Sequence, residues 1–242
     1  MKLPEFFGLD IGNHSLKIAQ VKYISPDSAQ LIKLAKSDIS EGVINTTDLS
    51  TLAEDIKKIR SQAGISTKKV VVALPESSIF SRLILLPEVE ETKLEQSIYY
   101  EAKQYLPVSV EEVSLEWVEV KRTQTEGKVF VQYLLVAAPK KIVEKYKELL
   151  DMAGLEPIAV ETETIATARS YTYNNNFEEG VLVMDFGGTN TDISVIRGKN
   201  VIFSQSIGNG SDMLTKALVS EFNLDSIQAE QYKRTYGLMR DQ

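Results

Sequence analysis

The chain has 242 residues, of which 43% are hydrophobic and 25% charged, values typical of a soluble globular protein of one large or two modest domains. Its net charge of -7 argues against a nucleic-acid-binding surface. Because it has no cysteine and a single histidine, it excludes a disulfide framework, a thiolate metal site and an imidazole-built zinc site. No stretch approaches the roughly 20 apolar residues of a membrane span, and no signal peptide is recognisable. We therefore expect a cytoplasmic protein without a direct membrane span, which reaches a membrane only through a partner.

The sequence up to Pro75 predicts three strands, a helix and a fourth strand. Asp48 is placed to cap the helix, whose apolar residues recur at helical spacing until Gly64. The run KKVVVALP after it is rich in β-branched residues, which favours a strand buried on both faces. The three earlier strands are predicted at about 5–11, 16–23 and 29–37.

A separable block follows over about residues 77–138. The run IFSRLILLP predicts a strand, and EETKLEQSIYYEAKQYLP predicts a helix with one apolar face that ends at Pro107. Two more strands, VSLEWVEVKR and KVFVQYLLVAAP, flank the polar turn TQTEG. A helix from about Lys140 to Ala153, closed by Gly154, resumes the alternation of strands and helices.

The last third of the chain predicts a strand at PIAVE, a helix at about 162–174, and then a change of domain. The asparagine triplet at 174–176 is the best candidate boundary, which divides the chain into domains 1–176 and 177–242. Beyond the boundary, the pattern predicts strands at about 180–186, 191–197 and 200–207, and helices at about 211–222 and 226–236.

The two predicted domains open with related sequences. FGLDIGNHSLKIAQV at 7–21 aligns with LVMDFGGTNTDISVI at 182–196, which places Asp10 on Asp185 and Gly12 on Gly187. Each copy is a strand, a turn of the form Asp-x-Gly and a second strand. Two related domains that begin in this way suggest a ligand held in the cleft between them.

Both turns have the chemistry of a phosphate site. Glycine and small polar residues leave backbone N–H groups open to an anion, and an aspartate at the strand end is suited to Mg²⁺, directly or through water. Lys17 and His14 are candidate charge partners for phosphate. A single Asp-x-Gly turn is more often a simple turn with a capping residue, but two copies in matching strands favour a two-sided phosphate grip.

DFGGTNTDIS and GLDIGNHSLKIAQV resemble the two phosphate motifs of the actin, Hsp70 and sugar-kinase superfamily. The resemblance implies an α/β fold of two ribonuclease-H-like domains with ATP and Mg²⁺ between them, and Asp10 and Asp185 near the metal. Glu163 falls where that superfamily orients the attacking water, and Glu161 is the weaker candidate. The implied nucleotide-contacting residues are Asp10, Gly12, Asn13, His14, Ser15, Lys17, Asp185, Gly187, Gly188, Thr189, Asn190, Gly208, Gly210, Glu230 and Lys233.

The inserted block resembles the PilM family of type IV pilus assembly proteins, which shares such an insertion with FtsA. The similarity rests on ALPESSIFSRLILLPEVEETKLEQSIYYEAKQYLPVSVEEVSLEW and continues through LLVAAPKKIVEKYKELLDMAGLEPIAVETETIATARS. It implies an ATP-binding adaptor with weak or no ATPase activity, peripheral to the inner membrane. Its partners would be the cytoplasmic N-terminal tail of a PilN-like membrane protein, other inner-membrane pilus assembly proteins and a second copy of itself. Residues 90–107 and 78–86 are the candidate contributors to the peptide groove.

Two other functions stay open at this point. One is an FtsA-like filament-forming cell-division protein, although the polar terminus KRTYGLMRDQ does not resemble the membrane-binding helix of that family. The other is a small-molecule kinase, for which we find no aspartate in a suitable strand-end context other than Asp10 and Asp185. Relative to these families the second domain is incomplete, so we expect its hairpin to expose an edge and an apolar face.

Overall fold

The computed structural model describes residues 4–25, 28–39 and 48–237. Over these residues the chain forms eleven strands in three sheets and six α-helices. The strands are β1 (Phe7–Ile11), β2 (Ser15–Ser25), β3 (Ser28–Asp38), β4 (Lys69–Leu74), β5 (Phe80–Pro87), β6 (Val113–Thr125), β7 (Lys128–Pro139), β8 (Glu156–Thr162), β9 (Phe177–Phe186), β10 (Thr191–Gly198) and β11 (Asn200–Ile207). The helices are α1 (Leu49–Gln62), α2 (Glu91–Ala102), α3 (Lys140–Met152), α4 (Glu163–Thr172), α5 (Ser211–Phe222) and α6 (Ser226–Tyr236).

The largest sheet has five strands in the order β3-β2-β1-β4-β8. The first three strands are antiparallel, and β4 and β8 run parallel to β1, as the ribonuclease-H-like resemblance predicts. The side chains of Phe7 and Leu9 pack with α1 and α3 in the largest buried cluster of the described residues. Asp48 caps α1 by accepting from the backbone N–H groups of Ser50 and Thr51, as predicted. This sheet therefore places the first glycine turn at the ends of its inner strands β1 and β2.

The inserted block is an antiparallel sheet, β5-β7-β6, with α2 packed on one face. Two local predictions were wrong here. The helix ends at Ala102 and not at Pro107, because the chain continues to Leu106 in tight turns whose N–H groups bond to carbonyls three and four residues back. The turn TQTEG shrinks to Glu126 and Gly127, whose φ values of 52° and 76° match a two-residue hairpin turn.

The third sheet, β11-β10-β9, belongs to the predicted second domain. Helices α5 and α6 have the predicted bounds, whereas β9 begins at Phe177, before the predicted start at 180. Large apolar side chains of β9 are exposed, among them Leu182 and Met184 at 61% and 59%. The expected exposed apolar face is thus present. Residues 238–242 of the polar terminus lie outside the described residues.

A small buried cluster joins the inserted sheet to the rest of the chain. Leu134 of β7 packs with Ala168 of α4, Ile196 of β10 and Val201 of β11. The inserted sheet therefore buries one face against α2 and part of the other against α4 and the third sheet. No helix among the described residues is long and apolar enough to cross a membrane.

Candidate functional site

The two glycine turns have the same local geometry. In β1–β2, Asp10 lies opposite Lys17, and in β9–β10 Asp185 lies opposite Asp192, at the equivalent positions of the repeat. The N–H of Gly12 donates to the Ser15 carbonyl at 3.0 Å, and the N–H of Gly187 donates to the Asn190 carbonyl at 2.9 Å. The two copies of the internal repeat therefore share their turn hydrogen bond and their strand register as well as their residue types.

Glycine is required in the second turn because the backbone and a neighbouring ring approach it closely. A Cβ at Gly187 would lie 2.9 Å from the Asn190 carbonyl oxygen, and one at Gly188 would lie 2.4 Å from Cδ2 of His14. Both distances are shorter than the van der Waals contact distance of a carbon atom. The first turn is looser, since a Cβ at Gly12 would lie 3.2 Å from the Ser15 carbonyl oxygen.

Side chains bridge the two turns. Asn13 Nδ2 donates to Thr189 Oγ1, which in turn donates to Asn190 Oδ1 at 2.8 Å. His14 Nε2 lies 2.9 Å from Oδ2 and 3.0 Å from Oδ1 of Asp212, a residue in the first turn of α5. The turns are thus held against each other across the cleft, with the imidazole lying over Gly188.

Helix α5 fixes the second turn through its first backbone groups. The N–H groups of Ser211 and Asp212 donate to the carbonyls of Gly187 and Gly188, both at 2.9 Å. These bonds bring Gly210 so close that a Cβ there would lie 2.3 Å from the Gly188 carbonyl oxygen. The first turn has no counterpart of this helix contact among the described residues.

A cavity of about 200 Å³ lies between the two turns. Eleven of the residues predicted from the sequence line it: Asp10, Gly12, Asn13, His14, Ser15, Lys17, Glu163, Asp185, Gly187, Gly188 and Asn190. The lining residues that the sequence reasoning missed are Ile11, Pro75, Ser77, Ser78 and Asp192. Backbone N–H groups, hydroxyls, carboxylates and one lysine therefore converge on a single cleft.

The charges in the cleft are strongly coupled. Lys17 Nζ lies 2.7 Å from Asp10 Oδ2, and although burial lowers the pKa of Lys17, this pairing raises it overall. Burial raises the pKa of Glu163 to about 8, and the nearby charges of Asp10, Asp192 and Asp185 act in the same direction. The N–H of Glu76 opposes that shift by donating to Glu163 Oε2 at 3.1 Å. Near neutral pH the Glu163 carboxyl is therefore largely protonated.

The carboxylates suit a magnesium ion that keeps much of its water. No group of three or more metal-ligating side chains occurs among residues 4–25, 28–39 and 48–237. Mg²⁺ needs only one or two carboxylates when phosphate oxygens and water complete its shell. Asp10 and Asp185 border the cavity from opposite turns, and the buried Oδ1 of Asp192 has no hydrogen-bond partner among the described residues. The donor set fits a hydrated Mg²⁺ ion bound together with phosphate.

Five predicted nucleotide contacts do not line this cavity. Thr189 and Gly210 make the contacts with the turns that are described above, but neither residue lines the cavity between the turns. A Cβ at Gly208 would meet no atom within 4 Å, so nothing packs closely on it. The other two, Glu230 and Lys233, lie on α6.

Glu230 and Lys233 are engaged with each other and with α5. Lys233 Nζ and Glu230 Oε2 form an ion pair at 2.6 Å, and Lys233 also donates to the Ser211 carbonyl of α5 at 3.2 Å. Burial raises the pKa of Glu230, but hydrogen bonds from Lys233, Arg234 and Thr215 outweigh it and lower the pKa to about 2. In this structure the pair therefore ties α6 to α5.

The remaining candidate, Glu161, forms an ion pair of its own. Its carboxylate accepts from the guanidinium of Arg169 on α4. Glu161 lines a second cavity of about 450 Å³ beside Ser170, whereas Glu163 borders both cavities. The geometry therefore favours Glu163 of the two.

The sequence contained a signal for one of the residues that were missed. Asp192 occupies the position in the second copy that Lys17 occupies in the first, so the repeat marks it as the counterpart of a residue that was already a candidate. Asp212, Ser77 and Ser78 have no such counterpart. Only the packing of α5 and of the turn after β4 brings them to the cleft.

Comparisons with known proteins identify the family of the chain. The sequence profile of the family described as type IV pilus assembly protein PilM matches residues 8–242. The solved structure of the PilM-PilN type IV pilus biogenesis complex contains a chain that superposes with a TM-score of 0.85 at 27% identity, over 97% of this chain and 70% of that one. The cell division protein FtsA of Enterococcus faecalis is 24% identical over 98% of this chain.

More distant structures show the fold alone. MreB5 of Spiroplasma citri bound to AMPPNP matches with a TM-score of 0.53 at 16% identity, over 100% of this chain and 66% of that one. EutJ of Carboxydothermus hydrogenoformans matches with a TM-score of 0.57 at 13% identity, over 98% of this chain and 63% of that one. The chain spans 59% of the length of the E. faecalis FtsA. It has an actin-like fold with an incomplete second domain, and it belongs to the family of the type IV pilus assembly protein PilM.

Proposed function

We propose that this chain binds ATP with Mg²⁺ in the cleft between its two glycine turns. The observation that carries the proposal is the pair of hairpins with identical register, whose turns face each other across one cavity. Open backbone N–H groups on both sides would hold the phosphates, and Lys17 would neutralise part of their charge. Asp10 and Asp185 would hold the metal ion through water.

The site favours binding over rapid hydrolysis. We propose Glu163 as the residue that orients a water molecule, and in the nucleotide-free cleft its carboxyl, with a pKa of about 8, is mostly neutral near pH 7. A neutral carboxyl is a poor acceptor for the proton of an attacking water. We therefore propose weak or no ATPase activity, with nucleotide serving mainly to hold the two turns together.

We further propose that the chain is an adaptor that holds the cytoplasmic N-terminal tail of a PilN-like membrane protein. The PilM-PilN complex supports this, because one of its chains superposes on nearly the whole of this one. The inserted sheet offers an edge strand, β5, which pairs only with β7 among the described strands. An extended peptide could add to such an edge. Leu85 of β5 and Tyr100 of α2, exposed at 57% and 59%, are candidate apolar contacts.

This partner would also place the protein in the cell. A cytoplasmic chain that grips the tail of an inner-membrane protein becomes peripheral to that membrane without a span of its own. We extend the proposal to contacts with other inner-membrane pilus assembly proteins and to self-association, and we propose the division into domains 1–176 and 177–242. The similarity to FtsA favours a filament-forming role as the second candidate, which sedimentation of the nucleotide-loaded protein would reveal.

Thermal melts with and without Mg²⁺ and ATP test nucleotide binding. Nucleotide at 100 times its dissociation constant should stabilise the folded chain by about 2.7 kcal/mol. The double variant Asp10→Ala and Asp185→Ala should lose this gain, whereas Asp151→Ala, an exposed site on α3, should keep it. An equal gain in the wild type and in the double variant would refute the proposed site.

Titration with a labelled N-terminal peptide of a PilN-like protein tests the adaptor role. We expect saturable binding that Leu85→Asp weakens at least tenfold, since a charge would replace an apolar contact at the edge strand. The matched control is Leu34→Asp, which changes another exposed leucine, at 67% against 57% for Leu85, on β3 of the first sheet. No saturable binding, with or without ATP, would contradict the adaptor role.

A further inference from the structure

Glu76 is a buried carboxylate that the proposed nucleotide site does not use. It opens a short 3₁₀ turn, Glu76–Ser78, directly after β4, and only 4% of the residue is exposed. Its Oε1 accepts a hydrogen bond from Ser204 Oγ of β11 at 2.5 Å. Its Oε2 is buried without a partner among the described residues. Burying a carboxylate with one of its two oxygens unpaired costs folding free energy, which indicates that Glu76 has a specific role here.

The contacts of Glu76 join three parts of the chain. Ser204 Oγ lies 2.5 Å from Ser81 Oγ, which belongs to β5 of the inserted sheet. The backbone N–H of Glu76 donates to Glu163 Oε2 at 3.1 Å, at the start of α4. A continuous set of hydrogen bonds therefore runs from the inserted sheet, through the third sheet, to the carboxyl that borders the cleft.

The geometry makes the side chain of Glu76 an anchor for its own backbone. In a short turn, the direction of an N–H group follows the backbone angles of its residue and its neighbour, and a side chain held at its far end restricts those angles. Strand β11, which carries Ser204, is itself fixed by Val201 in the buried cluster with Leu134 and Ile196. The bond from Ser204 thereby sets where the Glu76 N–H points.

We propose that Glu76 is a positioning residue, which fixes the Glu163 carboxyl through its backbone N–H and transmits the position of β5 to the cleft through Ser81 and Ser204. The proposal deepens the proposed function, and it rests on that function only for the role of Glu163 toward the nucleotide. It gives a physical route by which a peptide bound at the inserted sheet would alter the nucleotide site.

The proton affinity of Glu163 reports on this bond directly. The N–H bond favours the ionised carboxylate, so its loss makes Glu163 hold its proton more tightly. The charged groups around Glu163 are Asp10, Asp185 and Asp192, which act against ionisation, and Lys17, which is paired with Asp10. None of these groups belongs to the hydrogen-bonded set of Glu76, Ser204 and Ser81. Glu76 itself carries a carboxylate, so Glu76→Ala and Glu76→Gln both remove its charge and are compared with each other, whereas Ser204→Ala changes no charged group.

The test is a ¹³C NMR titration of the Glu163 carboxyl in the nucleotide-free chain, with its signal identified by its disappearance in Glu163→Gln. We expect Ser204→Ala to raise the titration midpoint by about one pH unit relative to the wild type, the scale of a hydrogen bond to a charged group, and Glu76→Ala to raise it by a similar amount relative to Glu76→Gln. Glu76→Gln keeps an oxygen for Ser204 and removes the same charge as Glu76→Ala, so it is the charge-matched reference for that variant. Ser220→Ala on α5, which removes a hydroxyl outside this set, is the matched control.

The outcomes separate the parts of the proposal. Equal midpoints in Glu76→Ala and Glu76→Gln, or an unchanged midpoint in Ser204→Ala, would overturn the positioning role. If Glu76→Ala does not fold, Ser204→Ala decides the question in the same way. A shift in Ser204→Ala with none in Ser81→Ala would overturn the link to β5. Because no nucleotide is present in the titration, a failure of ATP binding would not imitate any of these results.

Discussion

The two glycine hairpins have the same register, but the apolar face of the first is buried and that of the second is exposed. Phe7, Leu9 and Ile11 of β1 are at most 3% exposed, whereas their counterparts in the repeat, Leu182, Met184 and Phe186 of β9, are 53% to 61% exposed. Local sequence is enough to form the strand, the turn and its hydrogen bonds in both copies. Burial depends on helices that lie later in the sequence. Within the described residues, α1 and α3 cover the apolar face of β1 but not that of β9.

The hairpins differ in charge as well. Asp10 faces Lys17 in the first, while Asp185 faces Asp192 in the second, so the repeat exchanges a cation for an anion at one position. The cleft consequently gathers three aspartates and Glu163 around one lysine. This imbalance raises the pKa of Asp192 as well, although its burial contributes most. A site with this excess of negative charge is suited to a metal ion that arrives with phosphate.

The largest expected effect comes from truncating equivalent apolar residues. Leu9→Ala should lower the free energy of unfolding by about 2–5 kcal/mol, because it leaves a cavity in the main core. Met184→Ala at the equivalent position should cost less than about 0.5 kcal/mol, because its side chain is already exposed. Urea unfolding of both variants measures the difference. An equal cost at the two sites would mean that the face of β9 is covered in solution.

The pH dependence of stability tests the charge difference. The folded pKa of Glu163, about 8, lies above its ordinary value of 4.5, so the folded chain binds more protons than the unfolded chain between these values. The contribution of Glu163 to stability should therefore fall as the pH rises from about 5 to about 8, by about 3–4 kcal/mol. Glu163→Gln should remove most of this slope, and Asp192→Asn should reduce it. Urea unfolding at several pH values provides the measurement, and the same slope in all three proteins would refute the assignment.

Because α5 packs tightly against the second turn, replacing Gly210 should destabilise the chain, whereas replacing the nearby Gly208 should not. Gly210→Ala should destabilise the chain by about 1–3 kcal/mol, because the new methyl group would overlap the Gly188 carbonyl. Gly208→Ala meets no atom within 4 Å and serves as the control, with no loss of stability expected. Thermal melts of the two variants distinguish them. Similar melting temperatures would show that α5 does not hold the turn.

The smallest expected effect concerns the bridge between the turns. A double-mutant cycle of His14→Ala and Asp212→Asn should give a coupling energy of about 0.2–1 kcal/mol, since both side chains are partly exposed. Because the chain has a single histidine, the imidazole signal in the proton NMR spectrum can follow the contact directly. A coupling energy of zero at low salt would remove this bridge from the description of the cleft.

Sequence periodicity predicted nearly every strand and helix, and it failed where local geometry had alternatives. It placed the end of α2 at Pro107, but tight turns replace the helix from Lys103 onward, and proline only marks the last position at which a helix could end. It also read TQTEG as a loop, although polar residues on an exposed hairpin extend the strands to Thr125 and Lys128. In both cases an exposed backbone could satisfy its hydrogen bonds in more than one way.

The amino-acid sequence by itself determined the two hairpins, because strand alternation, turn glycines and cross-strand register are properties of neighbouring residues. From the repeat it also indicated that Asp10 and Asp185 share a cleft. Only the tertiary structure decided that Glu76, which lies outside the cavity, donates its N–H to the Glu163 carboxyl, because the two residues come from separate parts of the chain. The raised proton affinity of Glu163 arises from burial and from charges that no local pattern places beside it.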